Sequence, residues 1–529
     1  MSYTSGIYII FIICTCLVYY VWPQKTRWSV LLAANFVFYM AAGWKEFVFL
    51  LAAMGVSYFS CCKMGDLQVE LAKTKESKRL DKKQFKEYKE NNKRQSKRFF
   101  QIGFFAVLLM LIVVKYTNFL LGNGFSILRL IGLEMEEFTV KLVVPLGISF
   151  YTFQTIAYMM DVYKAKIEPQ RNFWKYALYS SFFPSVVQGP IPRYGQLAEQ
   201  LYTGQKFQFQ NIRRGGLMIL WGFGKKLILS ERLNLFIHEI YGNYMEYEGM
   251  IFALATVAFS IQIYADFSGC MDIARGTARL FGLELPKNFI QPYFSKTMPE
   301  FWRRWHATLG SWFRDYVFFP FSVSKVSLKL NKKARDLMGN EAGRIVAATL
   351  PILVVWMLTG IWHGPEWKYV AWGLFHGILI MASTIFTPHF DKLSEKLKIN
   401  RDCFSFRLYQ MARTFFLCCV GRVFFRADSF GAALVIFKRT LQTTGIYALA
   451  DGKFWTYGLN AANWMIVVVF LAIWLIVSII AEKEDVLEVF EKQNVWFRWG
   501  IIYALFFAVL VFGKYGPGYQ VADFIYEQF

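Results

Sequence analysis

The sequence has few charged residues for its length. Only 18% of its 529 residues are Asp, Glu, Lys or Arg, whereas about a quarter of a soluble globular domain is charged. At the same time 56% of the residues are hydrophobic and 19% are aromatic, which excludes a disordered chain. Apolar runs recur along the whole chain, and no polar stretch between them is long enough for a separate domain. The composition therefore indicates one polytopic membrane protein rather than several soluble domains.

The usual patterns of disulfide and metal chemistry are also missing. The eight cysteines form no pair of CxxC motifs, and most lie inside apolar runs, where a thiol behaves as a small hydrophobic side chain. The five histidines include no HxxxH or HExxH spacing, so neighbouring helix turns do not supply a metal cage. We therefore expect neither a disulfide framework nor a metal site.

No nucleotide-binding or hydrolase motif is present either. The chain lacks GxSxG, GxxxxGK[ST] and GxGxxG, which argues against a hydrolase, an ATPase and a dinucleotide-dependent enzyme. Its formal net charge is +22, but the basic residues cluster between apolar segments, as the positive-inside rule describes. We attribute the charge to membrane topology and expect no nucleic-acid partner.

Apolar runs of a length that suits a membrane helix follow one another through the chain. The first, residues 7–22, has no basic region before it and no small-residue cleavage site after it, so we interpret it as a retained span. The sequence predicts about 11 membrane-embedded helices, some of them re-entrant. The further runs are 28–42, 44–62, 99–121, 142–160, 174–187, 215–240, 250–281, 345–362, 367–385, 415–425, 464–481 and 499–513.

The most polar part of the chain is residues 63–98, with 13 Lys or Arg and 6 Asp or Glu. Because basic residues favour the cytosolic side of membrane proteins, we place this segment in the cytosol, as a helix or hairpin near anionic headgroups. Three preceding runs then place the N-terminus outside. The composition thus divides the chain into N-terminal transmembrane helices (1–62), a basic cytosolic segment (63–98) and a larger transmembrane body (99–529).

Charged residues in apolar surroundings are functional candidates in a membrane protein. Asp266 lies among aromatic residues within the stretch 260–269. Further along, Asp272, Arg275 and Arg279 have spacings of three and four, so we expect them to share one helix face and to pair. A structural ion-pair ladder would explain these three residues without a further function.

A second stretch, residues 299–316, combines tryptophan, arginine and His306. Its spacing predicts one amphipathic helix with Arg303 and Arg314 beside an apolar stripe. The residues of that stripe are Trp302, Trp305, Leu309, Trp312 and Tyr316. Helices of this kind anchor proteins at membrane surfaces, and in that case His306 would only satisfy a carbonyl.

A third stretch ends a long uncharged run at His363, which is followed by glycine and proline. Backbone carbonyls near His363 therefore lose their helical partners. Imidazole is the side chain best suited to move protons near neutral pH, so His363 is a candidate general base. We expect His376 to be a hydrogen-bonded core residue, and His238 and His389 to be peripheral.

In this order and spacing, the motifs resemble the membrane-bound O-acyltransferase (MBOAT) family, and within it the branch of the alginate O-acetylation protein. The resemblance covers most of the chain from residue 145 onward and includes FWRRWH (301–306) and WHG (362–364). The motifs that carry it are 145–154, 189–194, 264–269, 300–309, 314–316, 359–364, 372–377, 424–427 and 524–529.

The resemblance implies an all-α helical body around a transmembrane tunnel, with re-entrant and amphipathic helices. The family's essential histidine corresponds to His363, and its second characteristic histidine to His306. The family further implies an O-acyltransferase of the cytoplasmic membrane whose catalytic body is residues 99–529, with acetyl-CoA or another acyl thioester as the donor and no bound cofactor. The implied partners are an extracytoplasmic O-acetyltransferase and the machinery that exports a polysaccharide.

Acyl transfer from a thioester to a hydroxyl needs a base for the hydroxyl proton and donors for the developing oxyanion. We expect His363 to be the base, and His306 or a backbone amide to be the donor. Arg303 or Arg304 would bind phosphates of coenzyme A at the cytosolic mouth. The expected lining of the substrate tunnel comprises Asp266, Trp302, Arg303, Arg304 and Trp362.

Other functions stay open at this level. D-alanyl transfer to teichoic acid and O-acetylation of peptidoglycan belong to the same family. A transporter without covalent chemistry would be expected to have two related halves with paired broken helices, and no such repeat is found. A scaffold for a secretion complex would not need histidines in these motifs.

Overall fold

The computed structural model of the chain describes residues 2–77, 80–133, 135–445 and 452–516. Within these ranges the chain is helical, and its one extended pairing is a bridge between Phe289 and Trp305. The terminal motif 524–529 lies outside the described residues. The α-helices are α1 Gly6–Val21, α2 Arg27–Met40, α3 Trp44–Ser77, α4 Lys82–Leu130, α5 Ile148–Tyr163, α6 Phe173–Ser180, α7 Phe183–Val186, α8 Tyr194–Thr203, α9 Phe209–Phe223, α10 Glu231–Gly242, α11 Met250–Leu280, α12 Met298–Arg304, α13 Ala307–Phe313, α14 Phe319–Ser322, α15 Lys325–Met338, α16 Asn340–His363, α17 Trp367–Lys396, α18 Phe404–Arg426, α19 Phe430–Gln442, α20 Ala461–Ala481, α21 Val486–Glu491 and α22 Val495–Phe512.

Seven of the described helices are long and apolar enough to cross a membrane: α3, α4, α11, α16, α17, α20 and α22. The prediction of an all-α, polytopic membrane protein is thereby confirmed. The predicted number of about 11 embedded helices also includes re-entrant ones, and several of the apolar runs form short or interrupted helices. The run 174–187 is split into α6 and α7, and the helix in the run 142–160 begins only at Ile148, after Gly147 with a φ of +70°.

The chain divides into two compact units, residues 1–216 with 274–286, and residues 217–273 with 287–529. In the first unit α3 packs against α4. The Asp81 side chain accepts a hydrogen bond from the amide of Gln84 (2.8 Å) and so caps the start of α4. Within the described residues, the basic segment 63–98 therefore contains the ends of two long helices, 63–77 of α3 and 82–98 of α4. The compositional limits at residues 62 and 98 lie inside these continuous helices.

The sequence Gly189-Pro190-Ile191-Pro192 cannot continue a regular helix, and the helical structure of the first unit breaks there. Helix α7 ends at Val186, and residues 187–192 are buried without helical structure. A Cβ at Gly189 would lie 2.4 Å from the Pro184 carbonyl oxygen, so a larger residue would collide with the backbone. Protein surrounds the irregular backbone, as is required wherever such a break lies within a membrane.

In the second unit α16 and α17 cross at two glycines. A Cβ at Gly360 would lie 2.4 Å from the carbonyl oxygen of Tyr369, and a Cβ at Gly373 would lie 2.4 Å from that of Trp356. Small residues allow this close approach of the two backbones. The crossing fixes the positions of His363, the last residue of α16, and His376 in α17.

A buried ion cluster also lies in the second unit. A π-helical segment, Gly224–Ser230, joins α9 and α10. It carries Lys226, whose Nζ contacts Asp266 at 2.8 Å and Glu231 at 2.7 Å. All three side chains are about 1% exposed. The charges are therefore compensated inside the protein, which is the condition for burying them.

The predicted ladder of Asp272, Arg275 and Arg279 on α11 is wrong. Asp272 pairs instead with Lys225 (2.6 Å). Arg279 pairs with Glu284, and Arg275 donates to a backbone carbonyl. The partners of these side chains come from outside α11, so the spacing of residues within that one helix does not predict the pairs.

Candidate functional site

The predicted single helix over residues 299–316 is wrong, because the chain breaks at His306. Helix α12 ends at Arg304, and α13 begins at Ala307. His306 has a φ of +47° and a ψ of +49°, in the left-handed region. A preceding strand-like segment pairs across this break: Ile290 donates to the Arg304 carbonyl (3.0 Å), and Ala307 donates to the Asn288 carbonyl (2.9 Å). These hydrogen bonds replace the helical ones and hold His306 in place.

The Asn288 side chain determines the tautomer of His306. The Thr308 amide donates to Asn288 Oδ1 (3.1 Å), so this atom is an acceptor, and His306 Nδ1 lies 3.1 Å from the same oxygen. Nδ1 must therefore carry the proton, and Nε2 carries the lone pair. Burial lowers the pKa of His306 to about 3, so the ring is neutral near pH 7. The sequence suggests His306 as a donor to the oxyanion. A neutral ring whose one N–H faces Asn288 is not suited to that role.

His363 lies beside aromatic rings at the end of α16. It is 4% exposed, and its ring centroid lies 4.9 Å from that of Trp362, 4.8 Å from that of Trp372 and 5.3 Å from that of Phe425. The Trp362 indole is also 6.2 Å from the ring of His306. The fold thus brings the rings of both His306 and His363 close to the same indole.

A small cleft of about 20 Å³ lies beside His363 and has the neighbour of His306 in its wall. Trp372 and Phe425, which contact His363, form part of its wall, and Trp305 precedes His306 in the chain. The two histidines themselves are not among its lining residues. A cavity shared by the two histidines and the continuous tunnel implied by the resemblance remain predictions. The lining residues are Ile263, Phe301, Trp302, Trp305, Trp372, His376, Cys418, Arg422 and Phe425.

Arg422 in α18 is a cleft residue that sequence reasoning missed. It is 5% exposed. Its Nη1 donates to the Ser260 carbonyl (2.9 Å) and to the Tyr293 hydroxyl (2.9 Å), and its guanidinium lies 4.5 Å from the Trp305 ring centroid. Within the described ranges it forms no ion pair. The available signal is a charged residue inside the apolar run 415–425, a run that the sequence alone identifies only as a span.

His376 also lines the cleft and is 1% exposed. Its ring lies 4.8 Å from that of Trp302. A Cβ at Gly421 would lie 2.5 Å from Nε2, so this glycine makes room for the imidazole. His376 is buried as expected, but the expected hydrogen bond is not found, because Nδ1 has no partner in the described part of the chain. His238 and His389 are exposed, as expected.

The two candidate phosphate-binding arginines differ in their surroundings. Arg304 pairs with Glu300 (2.9 Å) and Glu482 (2.7 Å), so its charge is already compensated. Arg303 is exposed. Only Arg303 therefore keeps its charge available at the surface, and its role in binding phosphate remains a prediction.

The three other expected tunnel residues also lie in the second unit. Trp302 lines the cleft, and the Trp362 ring lies near both histidines. The Asp266 carboxylate is used by Lys226 and by the Ser230 hydroxyl (3.1 Å), and it does not line the cleft. In the part of the chain that the structure describes, no three His, Cys, Asp or Glu residues are grouped to hold a metal ion.

Comparison with known protein families shows to which family this chain belongs. The family MBOAT, the membrane-bound O-acyltransferases, matches residues 35–421. The chain belongs to this family. The match contains His306, His363 and His376 and ends one residue before Arg422. The protein is thus a multi-pass membrane O-acyltransferase, which replaces the alternatives of a transporter or a scaffold.

Individual relatives differ in the acyl group and the polymer that their names state. The chain is 28% identical to a probable alginate O-acetylase of Pseudomonas syringae pv. tomato, over 78% of this chain and 70% of that protein. It is 28% identical to a peptidoglycan O-acetyltransferase of Helicobacter pylori, over 68% of each. It is 27% identical to a teichoic acid D-alanyltransferase of Bacillus subtilis, over 54% of this chain and 69% of that protein.

Proposed function

We propose that this O-acyltransferase moves an acetyl group from a cytosolic thioester, acetyl-CoA, across the cytoplasmic membrane for O-acetylation of an exported, alginate- or cellulose-like polysaccharide. The observation that carries the proposal is the buried His363 at the end of α16, beside a cleft and within the family match. The match to the alginate O-acetylase covers 78% of the chain, against 54% for the D-alanyltransferase. An extracytoplasmic O-acetyltransferase and the export machinery would complete the transfer.

In the proposed reaction His363 takes the proton of the acceptor hydroxyl. The hydroxyl oxygen bonds to the acyl carbon, and the electron pair of the C=O bond moves onto its oxygen. When the C=O bond forms again, the C–S bond breaks and the thiolate leaves. The imidazolium of His363 returns its proton to the thiolate, so the base is restored for the next cycle. No cofactor takes part in these steps.

His306 has a positioning role in this proposal, because its Nε2 lone pair can accept a hydrogen bond from a substrate hydroxyl. His306→Ala should slow acetyl transfer by about a hundred-fold, the scale of a misplaced substrate. The measurement is the initial rate of transfer by protein that inserts normally.

The same role predicts a difference between two variants of Asn288. Asn288→Asp keeps an oxygen for His306 Nδ1 and raises the imidazole pKa, so the pH profile should move. Asn288→Leu removes the acceptor and should approach the rate of His306→Ala. Wild-type rates in both His306→Ala and Asn288→Leu would show that His306 only fills space.

The orientation proposed for the chain places residues 63–98 in the cytosol and the N-terminus outside. The test uses protein in which Cys14, Cys16, Cys62 and Cys403, the thiols that are not buried, are changed to Ser. In intact cells, a membrane-impermeant maleimide should label Thr4→Cys and leave Lys82→Cys unlabelled. Labelling of Lys82→Cys in intact cells would reverse the proposed orientation.

A further inference from the structure

Arg422 is a buried cation whose charge the described protein leaves uncompensated. Its partners are a backbone carbonyl, a phenol hydroxyl and the face of Trp305. Cation–π contact and neutral hydrogen bonds offset only part of the loss of hydration of a buried charge. The buried Lys226, in contrast, contacts two carboxylates. An uncompensated charge in such surroundings indicates a functional site.

One edge of the Arg422 guanidinium is available to a ligand. Both of its hydrogen bonds are donated by Nη1. Within the described residues, Nε and Nη2 donate to no protein acceptor. These two atoms present parallel N–H bonds, the geometry that binds a carboxylate or a negatively charged oxygen. Arg422 lines the cleft, so a ligand in the cleft lies next to the guanidinium.

The other cleft residues restrict the ligand further. None of the nine lining residues is acidic, and six are aromatic rings of Phe or Trp or the imidazole of His376. Trp302 Nε1 and His376 Nδ1 are buried without a hydrogen-bond partner among the described residues. The wall thus favours a compact, largely apolar group that has an oxygen. Aromatic rings by themselves attract cations, so it is the charge of Arg422, with no lining carboxylate to balance it, that disfavours a group with an ammonium.

We propose that this cleft receives the acyl group of the donor, that Arg422 holds the acyl oxygen, and that its charge excludes acyl groups with an ammonium. The inference rests on the acyl transfer proposed above. Trp372 and Phe425 connect the cleft to His363, since each contacts that imidazole. The acyl oxygen becomes negative when the hydroxyl attacks and neutral again when the C–S bond breaks. His306 has no N–H for this oxygen, and Arg422 supplies the donors.

The first test measures binding without any reaction. Acetate is a probe with the oxygens that the cleft should recognise. Sodium acetate, compared with equal sodium chloride, should raise the thermal unfolding midpoint of the full chain in detergent. The shift should disappear in Arg422→Gln and be smaller in Arg422→Lys, which keeps the charge but loses the paired N–H bonds.

Arg413→Gln is the matched control, because Arg413 is an exposed arginine of the same helix that donates to the Lys296 carbonyl (2.9 Å). It should keep the wild-type response to acetate. An equal shift in wild type, Arg422→Gln and Arg422→Lys would overturn the subsite, and so would the absence of any shift in wild type. Should Arg422→Gln fail to fold, Arg422→Lys decides between these outcomes.

The second test separates charge from size. Propionyl-CoA and glycyl-CoA differ by an ammonium in place of a methyl group. Wild type and Arg413→Gln should release CoA from propionyl-CoA at least roughly tenfold faster than from glycyl-CoA. Arg422→Gln should bring this ratio near one, whereas Arg422→Lys should retain the preference. A ratio in Arg422→Gln equal to that of wild type would contradict the proposed selection.

His363→Ala distinguishes this inference from the proposed function. It should stop CoA release from both thioesters and leave the acetate response intact. Full activity of His363→Ala together with Arg422-dependent acetate binding would remove the proposed base and keep the subsite. An inactive His363→Ala together with an unchanged ratio in Arg422→Gln would keep the proposed base and remove the subsite.

Discussion

His363→Ala should lower acyl transfer by about a hundred- to ten-thousand-fold, the usual contribution of a general base. The reason is that transfer to a hydroxyl requires removal of its proton, and the rings around His363 belong to Trp362, Trp372 and Phe425. None of these side chains can act as a base. The measurement is the rate of acetyl transfer by purified protein, together with the O-acetyl content of the glycan in cells.

His389→Ala is the matched control for this experiment, because it removes an exposed histidine from the neighbouring helix α17. It should transfer acetyl groups at the wild-type rate. His363→Ala that inserts normally and still gives a fully O-acetylated glycan would disprove the assignment of the base.

Lys226→Met should destabilise the protein by about 3–5 kcal/mol, because it leaves the carboxylates of Asp266 and Glu231 buried without a cation. Both carboxylates are about 1% exposed, so solvent does not take the place of Lys226. The measurement is the free energy of unfolding in detergent by denaturant titration. In the variant that also carries Asp266→Asn and Glu231→Gln, most of the lost stability should return.

The Lys287–Asp485 pair provides a surface control of the same chemistry. Its charged atoms are 3.4 Å apart, and the side chains are 58% and 41% exposed. Lys287→Met should therefore change the stability by less than about 1 kcal/mol. If Lys226→Met were as mild as Lys287→Met, the buried cluster would not be the stabilising element described here.

Patterns of local chemistry predicted several features of this chain well. The apolar run that ends in His363-Gly-Pro predicts a helix end, and α16 does end at His363. The glycine and prolines of residues 189–192 predict a break, and the backbone there is irregular and buried. In both cases the residues that cause the feature are adjacent in sequence, so no distant contact has to be known.

Features that depend on distant contacts were not predictable in the same way. The stripe from Trp302 to Tyr316 has helical spacing, yet the hydrogen bonds of Asn288 and Ile290 open the helix at His306. Residues 288 and 290 have no sequence feature that predicts this pairing. Four residues of the stripe are nevertheless buried: Trp305, Leu309, Trp312 and Tyr316. The pattern therefore predicts the burial of these side chains correctly and the backbone conformation at His306 incorrectly.

Charge partners were equally hidden from the sequence. Asp272 has two arginines at helical spacing but pairs with Lys225, 47 residues earlier in the chain. Arg422 has no carboxylate partner in the described structure, and its burial beside the cleft distinguishes it from an arginine at a membrane surface. The candidate site therefore combines two histidines visible in sequence motifs with Arg422 and His376, which only the structure brings to it.

Mass spectrometry of the exported polysaccharide is the most direct test of acetyl transfer as the function of this chain. The comparison is between cells without the protein and the same cells supplied with wild type. We expect acetyl esters on the polysaccharide only when wild-type protein is present. The proposed function would be contradicted if both kinds of cell had the same content of acetyl esters. It would also be contradicted if the cells without the protein lacked D-alanyl esters instead of acetyl esters.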